Sequence, residues 1–286
     1  MEIDGQLVAD RPSLWKRYSR NRKAVVGLII LIIITLSAIF APWVATHDPI
    51  QQDLRARLQP PSAEHWLGTD NFGRDIYSRI IYGARISLRV GLISVSIALA
   101  LGGTMGLVAG FFGGRIDSVL MRIVDVLLAL PAILLALAVV ATIGPGLNNV
   151  MVAVGIAYSP NFARVTRAAV LQVRELDYVA AAQALGASNL RMMFRHILPN
   201  ALNPVIVQVT LATAGSILSA AGLSFLGLGA QPPTPEWGSM LSSARSYIRV
   251  AHHTVTFPGL AIMLTVLALN MVGDGLRDAL DPRMER

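Results

Sequence analysis

The chain has 286 residues, of which 54% are hydrophobic and only 14% are charged. Soluble domains carry about 25% charged residues, so this composition indicates a protein that lies largely in lipid and excludes an ordinary soluble fold. The formal charge of +7 is spread between long apolar runs, which argues against a nucleic-acid partner, and the absence of cysteine excludes disulfides and thiolate chemistry.

Six charge-poor segments predict an all-α integral membrane protein with six transmembrane helices, because a helix needs about 20 mostly apolar residues to cross a bilayer. The first segment is longer than the apolar core of a cleaved signal peptide and is interpreted as an uncleaved span. The turn-rich residues 144–149 separate the third segment from the fourth. The predicted spans are residues 24–44, 90–114, near 121–143, near 148–165, 201–228 and 255–273.

Basic residues predict the orientation of the chain. With six spans both termini lie on one side, and that side would hold 16 of the 24 Lys and Arg residues, as expected for the cytoplasm. The predicted organisation is therefore a cytoplasmic segment 1–23, the first transmembrane helix 24–44, an extracytoplasmic loop 45–89, a core 90–274 of five transmembrane helices and a cytoplasmic tail 275–286. A cell membrane is therefore the expected location, with lipid as the surrounding solvent.

Residues 74–89 show helical spacing of apolar side chains and lead into the second span. Two interpretations stay open: an amphipathic helix on the membrane surface, or an extension of the second span out of the membrane.

Within the second span Gly102, Gly106 and Gly110 share one helix face, which predicts close helix packing, either inside the subunit or with a partner subunit.

The third span contains Asp125, the only charge between residues 123 and 163. We expect it to pair with Arg122 or to cap a helix boundary rather than to relay protons.

The loop between spans four and five, residues 167–200, predicts a helical hairpin. Residues 175–185 are good helix formers, Gly186 provides a left-handed stop, and Ser188 can cap a second short helix ending at Pro199. Small alanines at 180, 181, 182 and 184 leave a slim surface that fits a groove, with Arg191 and Arg195 on a basic face. The alternative is an ordinary amphipathic loop on the membrane surface.

Polar residues in spans five and six, together with the loop that joins them, are candidates for the transport pathway. Polar side chains also join helices, and the loop 229–240 could contact a binding protein, cover the pathway or form a re-entrant hairpin. Trp237 is expected at the membrane interface. These candidates are Gln208, Ser216, Ser219, Asn270, Gln231, Pro232, Pro233 and Trp237.

No enzymatic or metal site is predicted. A P-loop requires a lysine after glycine, whereas the only lysines, Lys16 and Lys23, follow Trp15 and Arg22. The five histidines form no zinc-protease motif, and no GxSxG nucleophile motif is present. An ion-coupled secondary transporter and a membrane enzyme are kept as rival classes.

The loop motif resembles the conserved loop of bacterial ABC importer permeases, in which Glu-Ala-Ala precedes a glycine and then Ile-x-Leu-Pro. The matching residues are Ala180, Ala181, Ala182, Gly186, His196, Leu198 and Pro199, with Ala180 and His196 replacing the family's Glu and Ile. The resemblance implies that this loop is the coupling helix that enters a cleft of the ATPase subunit.

Further motifs resemble the C-type permease subunits of dipeptide and oligopeptide ABC importers, with dipeptide permeases the most similar. These motifs are His65 to Asp70 with Gly73 to Asp75, Phe225 to Gly238, Pro258 to Ala261, and Asn270 to Pro282. The resemblance implies a type I importer fold, a homologous B-type permease partner, two ATP-binding subunits that carry ATP and Mg²⁺, an extracytoplasmic binding protein and a peptide substrate. Nickel, haem and glutathione, which related importers carry, stay open as cargo.

Overall fold

The computed structural model describes residues 14–280 of the chain. Most of the predicted segment 1–23 and the end of the predicted tail 275–286 therefore lie outside the described residues, including Arg11, Arg283 and Arg286 of the charge bias and Pro282 of the C-terminal motif. Between residues 14 and 280 the chain forms helices and loops, with one isolated β-bridge between Thr69 and Asp75.

Thirteen α-helices follow one another in the described part of the chain. Two π-helical segments, Leu99–Gly103 and Met192–Ile197, and two short 3₁₀ helices, Leu54–Ala56 and Arg245–Tyr247, lie between them. The α-helices are α1 Leu14–Tyr18, α2 Arg22–Ile39, α3 Ala41–Val44, α4 Ile76–Ala98, α5 Thr104–Phe112, α6 Gly114–Leu128, α7 Ala132–Ile143, α8 Leu147–Arg174, α9 Asp177–Ala184, α10 Asn189–Arg191, α11 Leu198–Phe225, α12 Trp237–Ala244 and α13 His253–Leu280.

Four helical stretches are long and apolar enough to cross a membrane: α2, Ile76–Phe112, Asn189–Phe225 and α13. They confirm the first, second, fifth and sixth predicted spans. Counting the bent pair α6 and α7 as one span gives a fifth, and the remaining predicted segment lies on α8, which does not meet the same length and composition test.

The third predicted span, near 121–143, is not one straight helix. Helix α6 ends at Leu128, α7 begins at Ala132, and their axes meet at 91°. Pro131 explains the break, because proline donates no backbone hydrogen bond and disfavours a helical conformation in the residue before it. The helix that contains the fourth predicted segment is longer than expected, since α8 continues from the predicted 148–165 to Arg174.

The structure decides between the two interpretations of residues 74–89. Helix α4 begins at Ile76 and continues through the π-helical segment and α5 as one helix that ends at Phe112. The predicted surface helix is therefore an extension of the second span, and the predicted loop 45–89 ends at Asp75. Asp75 starts the helix, because its carboxylate accepts a hydrogen bond from the Ser78 backbone N–H at 2.7 Å.

Helix α8 lies at the centre of the bundle. It packs against α4, α5, α7 and α11, and its Val150, Val154 and Phe162 are fully buried. Large apolar side chains elsewhere point outward, including Ile33 on α2, Leu92 on α4 and Met263 on α13. This arrangement fits a bundle whose outer surface contacts lipid, where an exposed apolar side chain carries no cost of hydration.

The two ends of the bundle differ. At one end Ala38 of α2, Ile76 of α4 and Ile262 of α13 form one cluster with Trp237. We call this end, formed by residues 45–75 and 229–252, the distal lobe. At the other end Tyr18 and Ala24 pack against Ala279, and the C-terminal end of α5 packs against the loop 167–200, hereafter the coupling loop.

Candidate functional site

The first half of the coupling loop folds as its sequence predicts. Helix α9 ends in a Schellman motif, because the Gly186 N–H donates to the Gln183 carbonyl at 3.0 Å and the Ala187 N–H donates to the Ala182 carbonyl at 3.1 Å. Gly186 has φ +79°, and no atom lies within 4 Å of the Cβ that another residue would place there. Its positive φ is the physical reason for glycine at this point.

The second half of the coupling loop differs from the prediction. The helix that begins at Asn189 does not end at Pro199 but runs through the π-helical segment into α11, ending at Phe225. Pro199 is the second residue of α11 and directly follows the π-helical segment, so it lies where the hydrogen-bond pattern of the continuous helix changes. Ser188 occupies the predicted cap position without a side-chain capping bond. The loop is therefore mechanically continuous with the fifth predicted span.

Buried side chains hold the coupling loop against the bundle. Val179, Met192, Met193 and Ile197 pack with Leu107 and with residues of α8 and α11. Tyr178 donates its hydroxyl hydrogen bond to the His196 carbonyl at 3.1 Å, so α9 is also tied to the second half of the loop. His196 and Leu198 are half-buried, which makes them supports of the loop rather than part of its outer surface.

The outer surface of the coupling loop combines small and apolar residues with the exposed Arg191 and Arg195. Ala180, Ala181, Gly186, Arg191 and Pro199 are exposed, and Ala182 is half-buried. Sequence reasoning missed three larger side chains on this surface, Leu185, Leu190 and Phe194, which are 89%, 69% and 57% exposed. Their signal was the i, i+4 spacing of Leu190 and Phe194 and the position of Leu185 beside the helix-ending glycine. Large exposed apolar side chains of this kind are candidates for contact with a partner protein.

The three predicted packing glycines all face α8 of the same chain. A Cβ on Gly102 or Gly106 would overlap the carbonyl oxygens of Ser159 or Ala163, and one on Gly110 would lie 2.8 Å from a methyl carbon of Val170. Of the two alternatives, contact inside the subunit is the one the structure shows. The glycines let α5 and the preceding π-helical segment lie directly on α8.

Asp125 pairs with Arg164 of α8, with the Arg164 Nη2 to Asp125 Oδ1 distance at 2.7 Å. The predicted partner Arg122 was wrong, because sequence proximity does not show which arginine the bend at Pro131 brings near. A second ion pair joins the same two helices. Both carboxylate oxygens of Asp117 on α6 accept hydrogen bonds of 2.5 Å from the guanidinium of Arg167 on α8. Together the pairs join α6 to α8.

The polar candidates for a pathway are not gathered into one cluster. Ser219 lies 3.2 Å from the Tyr158 hydroxyl, which joins α11 to α8. Ser216 is fully buried and its hydroxyl has no hydrogen-bond partner. Gln208 and Asn270 are half-buried on α11 and α13.

The distal lobe is tied together by long-range hydrogen bonds. Trp237 is 2% exposed and donates its indole N–H to the Ile80 carbonyl at 3.0 Å, so its side chain packs inside the protein. Its place at the level of the membrane interface stays a prediction. Arg79 donates to the Pro49 carbonyl at 2.8 Å. Gln231, Pro232 and Pro233 are exposed at the tip of the loop, and the peptide bond between the two prolines is cis.

Glu236 begins α12 from a buried position in the distal lobe. Its two carboxylate oxygens accept hydrogen bonds from the Gly238 and Ser239 N–H groups at 2.9 and 2.8 Å. Burial raises the pKa of the Glu236 carboxyl, and these backbone hydrogen bonds oppose that rise only in part.

Two protein families match this chain. Residues 102–286 match the family described as binding-protein-dependent transport system inner membrane component, and residues 13–61 match the N-terminal transmembrane domain of oligopeptide transport permease C.

Three relatives illustrate the similarity along the whole chain. A dipeptide transport system permease protein of Alkalihalophilus pseudofirmus is 53% identical over 95% of this chain and 89% of the relative. A di/tripeptide transport system permease protein of Pseudomonas aeruginosa is 50% identical over 99% and 96%. A glutathione transport system permease protein of Pectobacterium atrosepticum is 49% identical over 95% and 90%.

Among solved structures, the inward-facing MetNI methionine ABC transporter superposes with a TM-score of 0.58. The match has 18% sequence identity and covers 71% of this chain and 96% of the other. At this identity the comparison supports the fold alone, which is that of an ABC transporter permease.

Proposed function

The chain belongs to the family of binding-protein-dependent transport system inner membrane components and is the permease component of an ABC importer, and we propose that it carries short peptides across the bacterial plasma membrane. In this proposal it pairs with a homologous permease, two ATP-binding subunits and an extracytoplasmic binding protein. The coupling loop and both chain termini face the cytoplasm, and the distal lobe faces the binding protein.

The exposed apolar surface of the coupling loop carries this proposal. Leu185, Leu190 and Phe194 point away from the bundle, while Val179 and Ile197 anchor the same loop inside it. A groove on a partner protein would bury the first three and move the anchored loop as one body. Because the loop continues into α11, a push on it is transmitted directly to a membrane-spanning helix.

Energy in this proposal comes from ATP and Mg²⁺ held by the partner subunits. Neither lysine of this chain lies in a P-loop sequence, which agrees with ATP binding and hydrolysis by the partner subunits. Closure of the two ATP-binding subunits would displace the coupling loops and shift the paired permeases between inward-facing and outward-facing states.

Short peptides are the proposed cargo because relatives of about half identity carry dipeptide and di/tripeptide permease names. Glutathione is itself a modified tripeptide and is the second candidate, since a glutathione permease is similar over the same length.

The complete assembly reconstituted in liposomes tests this function. With the binding protein and ATP present we expect uptake of a labelled dipeptide, and no uptake when ATP is replaced by a non-hydrolysable analogue. Glutathione is offered in a parallel assay. Uptake driven by a proton gradient without ATP would refute the importer, and uptake of glutathione but not of dipeptides would refute peptides as the main cargo.

A further inference from the structure

Two histidines and one aspartate from three separate segments meet in the distal lobe. His65 Nδ1 lies 3.0 Å and His47 Nδ1 lies 3.8 Å from the same oxygen, Oδ1 of Asp75. The ligand atoms of all three residues lie within 4.8 Å of one another, and the two imidazole rings are 4.6 Å apart between centroids. The residues are 18 and 10 positions apart, so no local motif announces them.

The surroundings fix the aspartate in place. Asp75 is 2% exposed, and its other oxygen, Oδ2, already accepts the capping hydrogen bond from the Ser78 N–H. Oδ1 is therefore the oxygen left to face the imidazoles. The Ser78 hydroxyl in turn accepts a hydrogen bond of 3.0 Å from the His47 backbone N–H, which holds the chain after α3 against the start of α4.

We propose that His47, His65 and Asp75 form a binding site for one divalent transition-metal ion such as Zn²⁺. Two imidazole nitrogens and one carboxylate oxygen are a typical ligand set for zinc. Ligands about 2.0–2.1 Å from a tetrahedral zinc ion are about 3.3 Å from one another, and the separations of 3.0 and 3.8 Å fall on either side of that spacing. The exposed edge of His47 leaves room for a water molecule as the fourth ligand.

The ion would link separate parts of the distal lobe to one another. Its ligands come from the segment after α3, from the middle of residues 45–75, and from the residue that caps the start of α4. A bound ion would therefore fasten the whole of this loop to the second predicted span. Hard cations such as Mg²⁺ and Ca²⁺ prefer all-oxygen sites and are not expected to bind.

The proposal is tested by metal binding and thermal unfolding of the full-length chain, purified in detergent through a tag without histidine and stripped with EDTA. After dialysis against Zn²⁺ we expect about one retained ion per chain, the stoichiometry of a single site with three protein ligands. Zn²⁺ should also raise the midpoint of unfolding by several degrees, because it binds the folded state, whereas Mg²⁺ should not.

Two variants complete the test. His47→Ala removes a half-exposed ligand and is expected to abolish both zinc retention and the shift in the unfolding midpoint. His252→Ala removes an exposed histidine outside the cluster and is expected to leave both unchanged. Failure of the wild type to retain zinc, or equal retention by His47→Ala, would overturn the proposal and leave a hydrogen-bonded cluster of His65 and Asp75.

Discussion

Gly186 combines a positive φ with open space around it, so its role can be separated from packing. An aspartate at this position would meet no atom of the chain within 4 Å of its Cβ. We expect Gly186→Asp to insert normally but to lose transport and association with the ATP-binding subunits, because a charge is placed at the docking surface. Uptake and co-purification of the ATPase measure this.

Gly227 provides the matched control. It has φ +83°, also has no atom within 4 Å of an added Cβ, and lies at the other end of the bundle. Gly227→Asp carries the same conformational cost as Gly186→Asp, about 1–2 kcal/mol for a left-handed backbone conformation. The Gly227→Asp variant should nevertheless keep the ATPase bound. Loss of ATPase binding in both variants, or in neither, would contradict the assigned role of Gly186.

Glu236 predicts a pH dependence of stability. Because burial raises its pKa in the folded state, the folded chain binds its proton more tightly than the unfolded chain does. The contribution of Glu236 protonation to folding stability is therefore largest at pH values below the pKa of this carboxyl in the unfolded chain. It is lost as the pH rises through the pKa of the carboxyl in the folded chain. Relative to Glu236→Gln, the wild type should gain thermal stability as the pH falls from about 7 towards the ordinary glutamate range.

Glu236→Ala removes the capping hydrogen bonds as well as the charge, whereas Glu236→Gln removes the charge alone. Loss of both hydrogen bonds should destabilise the Ala variant by about 0.5–2 kcal/mol at neutral pH. Thermal unfolding of the three proteins at several pH values decides the matter. A wild type that becomes less stable relative to Glu236→Gln on acidification would show that hydrogen bonding outweighs burial.

At the scale of elements, the contact of the second predicted span with α8 depends on missing side chains. We expect Gly106→Ala to destabilise the protein by about 1–3 kcal/mol, because its Cβ would overlap the Ala163 carbonyl in a packed interface. Gly103→Ala, three residues away, would meet only Leu99 of its own helix at 3.3 Å and should be nearly neutral. Equal unfolding midpoints for the two variants in detergent would contradict this interface.

Charge-free runs predict the long helices well because lipid demands apolar length. Most of the predicted ends of α2, α11 and α13 lie within a few residues of the observed ends. Charge-free runs do not show where a helix axis changes direction, so the 91° bend between α6 and α7 at Pro131 was not predicted. Pro199 shows the opposite error: a proline interpreted as a helix end lies inside a helix that continues across it, at the junction of the π-helical segment and α11. Whether a helix stops, bends or continues at a proline depends on the local backbone hydrogen-bond pattern, which composition does not reveal.

At the scale of the whole molecule, the coupling loop could be identified from its motif because its residues are contiguous. The distal lobe could not, since its contacts join distant segments, as between Trp237 and Ile80 or between Arg79 and Pro49. Such pairings depend on the packing of α4, α12 and α13, and periodicity within one segment does not specify them. The exposed leucines of the coupling loop were missed for a related reason: exposure is a property of the assembled bundle.

The central claim is that the coupling loop meets a separate motor in the cytoplasm while the distal lobe lies on the other side of the membrane. Because the chain has no cysteine, single-cysteine variants give no background labelling. Leu185 of the coupling loop and Val250 of the distal lobe are 89% and 79% exposed. The variants are expressed without the ATP-binding subunits, so that no partner covers Leu185. With a membrane-impermeant maleimide applied to intact spheroplasts, Val250→Cys should be labelled and Leu185→Cys should be labelled only after permeabilisation. Labelling of Leu185→Cys from outside would contradict the account, since no cytoplasmic ATPase could then reach the loop.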